Sequence, residues 1–192
     1  MTFKLIVLGT SLGGFSALKK VLKSIPEDIG VPIAIAQHRH PDSSDTTLRD
    51  FLQQETALSV REVEDKDKIQ PGYAYLTPAD YHLLVEAGHF ALSVDEPVCY
   101  ARPSIDVLFE SAADVYREQV IGVILTGANA DGSQGLKTIQ ARGGVTIVQE
   151  PSTAECGVMP QAAINAVARV DWILPLERIA AVLAILCDSI GK

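Results

Sequence analysis

Five residues close to the N-terminus, Gly9-Thr10-Ser11-Leu12-Gly13, match the pattern Gly-x-Ser-x-Gly. Between a strand and a helix, such a pattern exposes a serine hydroxyl on a sharp turn, ready to attack a carbonyl carbon. The glycines permit the turn, and the helix N-terminus that follows favours negative charge nearby. A simple strand-to-helix turn with a capping serine has the same composition, and the motif alone does not separate the two. A phosphate cradle fits less well. The dinucleotide fingerprint needs glycine where Ser11 stands and an acidic residue after the second strand, where this chain has His38. There is no Walker lysine motif either.

A serine hydroxyl is a weak nucleophile and needs a base within hydrogen-bond reach. His38 is the best placed of the four histidines, because it ends the second apolar run. His40 follows in a loop that closes with Pro41 and is a candidate for the rim of a site. His82 and His89 fall in a hairpin region, where surface or packing roles suffice. A base in turn needs a carboxylate to fix its tautomer and stabilise its charged form. Asp131 follows the apolar run Val123-Ile124-Leu125 through the loop Thr126 to Ala130. Its ordinary alternative is a helix cap ahead of Gly132.

These residues depend on the elements before them. Leu5 to Leu8, Pro32 to Ala36 and Val120 to Leu125 are continuous apolar runs of strand length. Helical patterns follow over 13–23, 45–54 and 135–141. Fully apolar strands alternating with helices predict an α/β fold: a doubly wound, mostly parallel sheet with helices on both faces. The carboxyl ends of neighbouring strands then line one crevice, and Ser11, His38 and Asp131 each follow such an end. The middle of the chain breaks the rhythm. Short strands over 73–77, 81–86 and 90–94, with a turn at Ala87-Gly88, predict an antiparallel hairpin insertion or sheet extension. A helix after Pro103, a strand over 145–148, a helix opened by Pro160, a strand at 172–174 and a helix over 176–189 complete the chain.

The 192 residues fit one domain, taken as 1–192. With 47% apolar and 21% charged residues the composition is that of a globular chain. A net charge of −8 argues against nucleic-acid binding and against anionic membranes. No apolar stretch is long enough for membrane insertion, and the N-terminus lacks the pattern of a signal peptide. Cys99, Cys156 and Cys187 are odd in number and far apart, without metal spacing or a disulfide framework, which fits a reducing cytoplasm. No cofactor and no metal is expected. The chain order Ser, His, Asp also differs from the Ser, acid, His order of α/β-hydrolases.

From about Leu5 to Leu186 the chain resembles the catalytic domain of the bacterial chemotaxis protein-glutamate methylesterases, the CheB type. Gly9 to Gly14 resembles that family's Gly-Ala-Ser-Thr-Gly-Gly, and Gln37-His38 its Gln-His-Met-Pro. Pro71-Gly72-Tyr73-Ala74-Tyr75, with Pro78, Asp80 and His82, resembles its Pro-Gly-x-x-Tyr segment. Arg102-Pro103-Ser104-Ile105-Asp106 resembles its Arg-Pro-Ser-Val-Asp, Thr126-Gly127 through Asp131-Gly132 its acid loop, and Met159-Pro160 a later Met-Pro.

The resemblance implies a Ser11, His38, Asp131 triad that demethylates glutamate γ-methyl esters on the cytoplasmic domains of methylated chemoreceptors, releasing methanol. Deamidation of receptor glutamines is implied as well. Backbone N–H groups near Leu12 and Ala128 would hold the oxyanion. Family members often carry a receiver domain, so the expectation is a stand-alone enzyme, or one whose receiver was cut away or acts as a separate response-regulator chain. Several positions depart from the pattern. Leu12 replaces a threonine, Arg39-His40 replaces Met-Pro and adds positive charge at the rim, and Ala128 and Asn129 replace Met and Gly in the acid loop. Arg102 and Asp106 could bind substrate or form an ion pair at a helix start. The departures leave two alternatives open: a related hydrolase of another ester or amide, and a catalytically inactive regulator that binds receptors.

Overall fold

The computed structural model describes residues 2–39 and 45–188. Along the chain run β1 (Leu5–Thr10), α1 (Gly14–Lys23), β2 (Ile33–Gln37), α2 (Asp45–Gln53), β3 (Ser59–Glu62) and β4 (Tyr73–Leu76). Next come β5 (His82–Glu86), β6 (His89–Ser93), α3 (Ile105–Tyr116), β7 (Val120–Ile124) and α4 (Ser133–Ala141). The last elements are β8 (Val145–Gln149), α5 (Val158–Ala166), β9 (Trp172–Leu174) and α6 (Leu176–Asp188).

Seven strands form one sheet in the order β3-β4-β2-β1-β7-β8-β9, and every pairing within it is parallel. The alternation of β1 explains its unbroken apolar sequence. Ile6 and Leu8 pack with α1, α2 and α6 on one face, while Leu5 and Val7 pack with α3, α4 and α5 on the other. Burying each of these large side chains contributes roughly 1.5–3 kcal/mol. Among the strands of the described residues only β5 and β6 pair antiparallel, around the Ala87-Gly88 turn. The hairpin is therefore shorter than the sequence suggests, because β4 belongs to the parallel sheet, between β3 and β2.

Strand order reverses between β1 and β7. The chain goes from β1 to β2, on to the edge strand β3 and back to β4 between β3 and β2, then crosses to β7 on the other side of β1 and winds outward through β8 and β9. A crevice opens at the carboxyl ends of strands at such a reversal. Gly132 makes the turn from the acid loop into α4 with φ +92°, and a Cβ there would lie 2.6 Å from Ile105 Cγ2 and 2.6 Å from Ile124 Cδ1. Gly132→Ala is thus expected to lose about 2–4 kcal/mol of stability through strain and overpacking. Thermal denaturation checks this, and an unchanged melting temperature contradicts it.

Candidate active site

Thr10 pairs with Gln37 across β1 and β2, so Ser11 and His38 are the next residues on adjacent strands. Parallel neighbours lie about 5 Å apart, which places both residues side by side at the carboxyl end of the sheet. His38 N donates to Thr10 O at 3.1 Å, and Ser11 N donates to Thr126 O at 3.0 Å. The Thr126 hydroxyl donates to Leu12 O at 2.9 Å, which ties the serine turn to the acid loop. Ser11 does not cap α1. That helix starts after Gly13, at φ +77°, with no side-chain cap, and Ser11 O accepts from Gly14 N at 2.9 Å to close the turn. Among the described residues the Ser11 hydroxyl makes no hydrogen bond.

His38 Nε2 lies 2.7 Å from Asp131 Oδ2. A buried carboxylate only accepts, so Nε2 carries the proton and Nδ1 presents a lone pair. Asp131 does not cap α4 either, since Gly132 takes that position without a side-chain bond. Instead the fully buried carboxylate closes the N-terminus of α3. Its Oδ2 accepts from Ile105 N at 2.7 Å, and its Oδ1 accepts from Asp106 N at 3.0 Å and from Ser104 Oγ at 2.9 Å. Burial pushes Asp131 toward its neutral form. The His38 hydrogen bond and the Ile105 and Asp106 amides outweigh that and hold its pKa below the ordinary carboxylate value. The acid is therefore ionised and oriented by a helix N-terminus.

Asp106 lies next to it and behaves oppositely. Burial, opposed by the Gly135 amide at 2.7 Å and reinforced by the Asp131 charge, pushes its pKa up to about 6. A carboxyl raised by folding favours the folded state at acid pH, and that contribution is lost as pH rises through about 6. Compared with Asp106→Asn, wild-type stability is expected to fall by about 1–3 kcal/mol between about pH 4 and pH 7. Urea midpoints of both proteins across that range check this, and a constant difference contradicts it.

The other expected site residues divide. Leu12 and Ala128 are exposed beside Ser11 and the acid loop, and neither backbone N–H donates to a described residue. Arg39 lines the cavity beside His38, yet it brings little exposed charge to the rim. Its side chain is only 7% exposed and turns inward, with Nη2 donating to Glu62 Oε1 at 3.1 Å and to Thr77 O at 2.5 Å. Glu62 balances the charge that the rim was expected to gain. His40 lies outside the described residues. Arg102 forms no ion pair with Asp106. It pairs with Asp80 at 2.6 Å and donates to Val94 O and Asp95 O, because the loop before α3 folds back over the β4–β5 connection. Arg102 still lines a cavity of about 520 Å³ together with His38, Asn129, Cys99 and Tyr100. A larger groove of about 760 Å³ runs past Arg49, Arg61 and Tyr81 and includes none of the three triad candidates. His82 is a packing residue, buried with Nδ1 accepting from Ser104 N and Nε2 against Glu96 O.

Sequence reasoning missed Ser104, Thr126 and Asn129 as site residues. Ser104 and Thr126 stand in the motifs quoted above, yet their partners are distant in the chain. The Asn129 amide accepts from Asp131 N at 3.1 Å and reaches His38 Nδ1 at 3.4 Å. Cys99, Asp106 and Asp131 bring potential metal-ligating atoms within 4.8 Å of one another. Asp131 is already saturated by four donors and Asp106 accepts from Gly135, so this cluster is poorly suited to a cation.

The sequence pattern of the CheB methylesterases matches residues 6–183. The chain belongs to the CheB methylesterase family. A Leptospira interrogans protein, provisionally named protein-glutamate methylesterase/protein-glutamine glutaminase, is 46% identical over 94% of this chain and 93% of its own length. An Anaeromyxobacter dehalogenans protein-glutamate methylesterase/protein-glutamine glutaminase is 39% identical over 92% of the chain, which spans 51% of that longer protein. The crystal structure of the Thermotoga maritima CheB methylesterase catalytic domain superposes with a TM-score of 0.92 at 30% identity, covering 97% of this chain and all of that domain. The parallel sheet and its switch-point crevice are thus features of a CheB-type catalytic fold.

Proposed function

We propose that this CheB-family chain is a serine hydrolase that demethylates glutamate γ-methyl esters on the cytoplasmic domains of methylated chemoreceptors. The observation that carries the proposal is the 2.7 Å His38–Asp131 contact at the strand end beside Ser11. His38 Nδ1 takes the Ser11 proton as Oγ attacks the ester carbonyl. The oxyanion forms against the free N–H groups of Leu12 and Ala128, each worth roughly 3 kcal/mol in the transition state. The intermediate collapses, the C–O bond to the methoxy group breaks, and His38 returns the proton to release methanol. Water, deprotonated by His38, then attacks the acyl-Ser11 ester and frees glutamate and the serine. With a glutamine substrate the same steps release ammonia, in keeping with the second activity in the relatives' names. Catalysis by these groups calls for no bound cofactor. Among the described residues no helix is long and apolar enough to cross a membrane. The cytoplasmic domains of receptors are the substrate in this reading because the relatives are named for glutamate methylesterase and glutamine glutaminase activity.

The test is methanol release from membranes carrying methylated receptors. This reading expects release that depends on receptor methylation. Hydrolysis of small esters without release from receptors would favour a hydrolase of another ester or amide. Activity on neither would favour a receptor-binding regulator.

A further inference from the structure

We propose that Asn129 latches the base: its side-chain amide occupies the His38 nitrogen that must receive the Ser11 proton, and substrate has to displace it. The inference rests on the assignment of Ser11 and His38 above. Amide orientation is fixed internally. Asp131 N–H donates to Asn129 Oδ1 at 3.1 Å, so the atom facing His38 is Nδ2, a donor. The imidazole is fixed as well, because Asp131 accepts from Nε2 and leaves the lone pair on Nδ1. Nδ2 meets that lone pair at 3.4 Å.

One short loop therefore holds both ring nitrogens, Nε2 through Asp131 and Nδ1 through Asn129, and fixes the rotation of the ring. An in-plane lone pair accepts one strong hydrogen bond, so the Asn129 amide and the Ser11 hydroxyl compete for it. The 3.4 Å separation is long for such a bond, which makes the amide the partner that yields. Asn129 is half-buried and shares the wall of the cavity with His38, so a group entering that cavity has access to the amide that faces the lone pair. Asn129 is not among the non-glycine positions with positive φ, so a left-handed backbone does not call for it. Its Oδ1 closes a local turn with Asp131 N–H, and the Nδ2 that faces His38 is the part this turn does not use.

Asn129→Ser separates the two bonds. A serine hydroxyl can still accept from the N–H two residues on, as in a serine turn, but is too short to reach His38. Two measurements on the full chain decide the matter. Labelling of Ser11 by a fluorophosphonate probe is expected to run about threefold to tenfold faster in the variant, the factor one net hydrogen bond holds back. The 15N resonance of His38 Nδ1 is expected to move toward the value of an unbonded lone pair, while Nε2 stays protonated. A residue that merely supported the loop would slow labelling and leave Nδ1 unmoved. Unchanged or slower labelling overturns the latch, as does an unmoved Nδ1 resonance. Ser11→Ala separates this from failure of the triad itself. Equal labelling of wild type and Ser11→Ala removes the nucleophile assignment, and the His38 resonance still decides whether Asn129 holds the base.

Discussion

Ser11→Ala is expected to lower methanol release from methylated receptor substrate by at least about ten-thousand-fold, with KM little changed. In the proposed mechanism the hydroxyl forms the acyl intermediate, and no neighbouring serine occupies the end of β1. Removing one Oγ should hardly disturb the fold, since the turn is held by backbone bonds from Ser11 N to Thr126 O and from Gly14 N to Ser11 O. A circular dichroism melt should therefore stay close to wild type while turnover collapses. Release within tenfold of wild type would contradict the assignment.

Asp131→Asn is the second large effect, with an expected loss of about ten-thousand-fold in turnover. An amide facing His38 would present either an N–H to Nε2, which forces the wrong tautomer, or a neutral oxygen, which stabilises the charged imidazole poorly. Stability should fall as well, by about 1–3 kcal/mol, because charge-assisted bonds from Ile105 N, Asp106 N and the Ser104 hydroxyl weaken. The pH dependence has a definite sign. The folded state holds the Asp131 carboxyl below its ordinary value, so its contribution to stability is present at neutral pH and lost as pH falls through the folded value. Asp131→Asn should remove that acid-side loss, which denaturant titrations of both proteins below about pH 5 would reveal.

Sequence patterns carried the parallel strands and the three triad candidates because each depends on local features. An apolar run such as Leu5 to Leu8 has to be covered on both faces, and a glycine-rich turn after it has to leave at the strand's carboxyl end. Features set by distant contacts were hidden. Strand β3, with its Ser59-Val60-Arg61-Glu62 sequence, has no apolar run because it lies at the sheet edge with one exposed side. Arg102 and Asp106 stand one helical turn apart and suggest a pair, yet the loop sends Arg102 to Asp80 and leaves Asp106 facing the start of α4. Arg39 looks like a surface charge until Glu62, on β3, is brought alongside it. Asp131 was legible as either a triad acid or a helix cap, and its contacts join the two features in an unforeseen way: the carboxylate that meets His38 also accepts from the first amides of α3, reached from another loop.

The most direct test of the central claim is to treat the folded protein with a fluorophosphonate and map the adduct by mass spectrometry. The account predicts one phosphonyl group on Ser11, lost in Ser11→Ala and formed far more slowly in His38→Ala. An unlabelled protein, or an adduct on another residue that persists in Ser11→Ala, would contradict it.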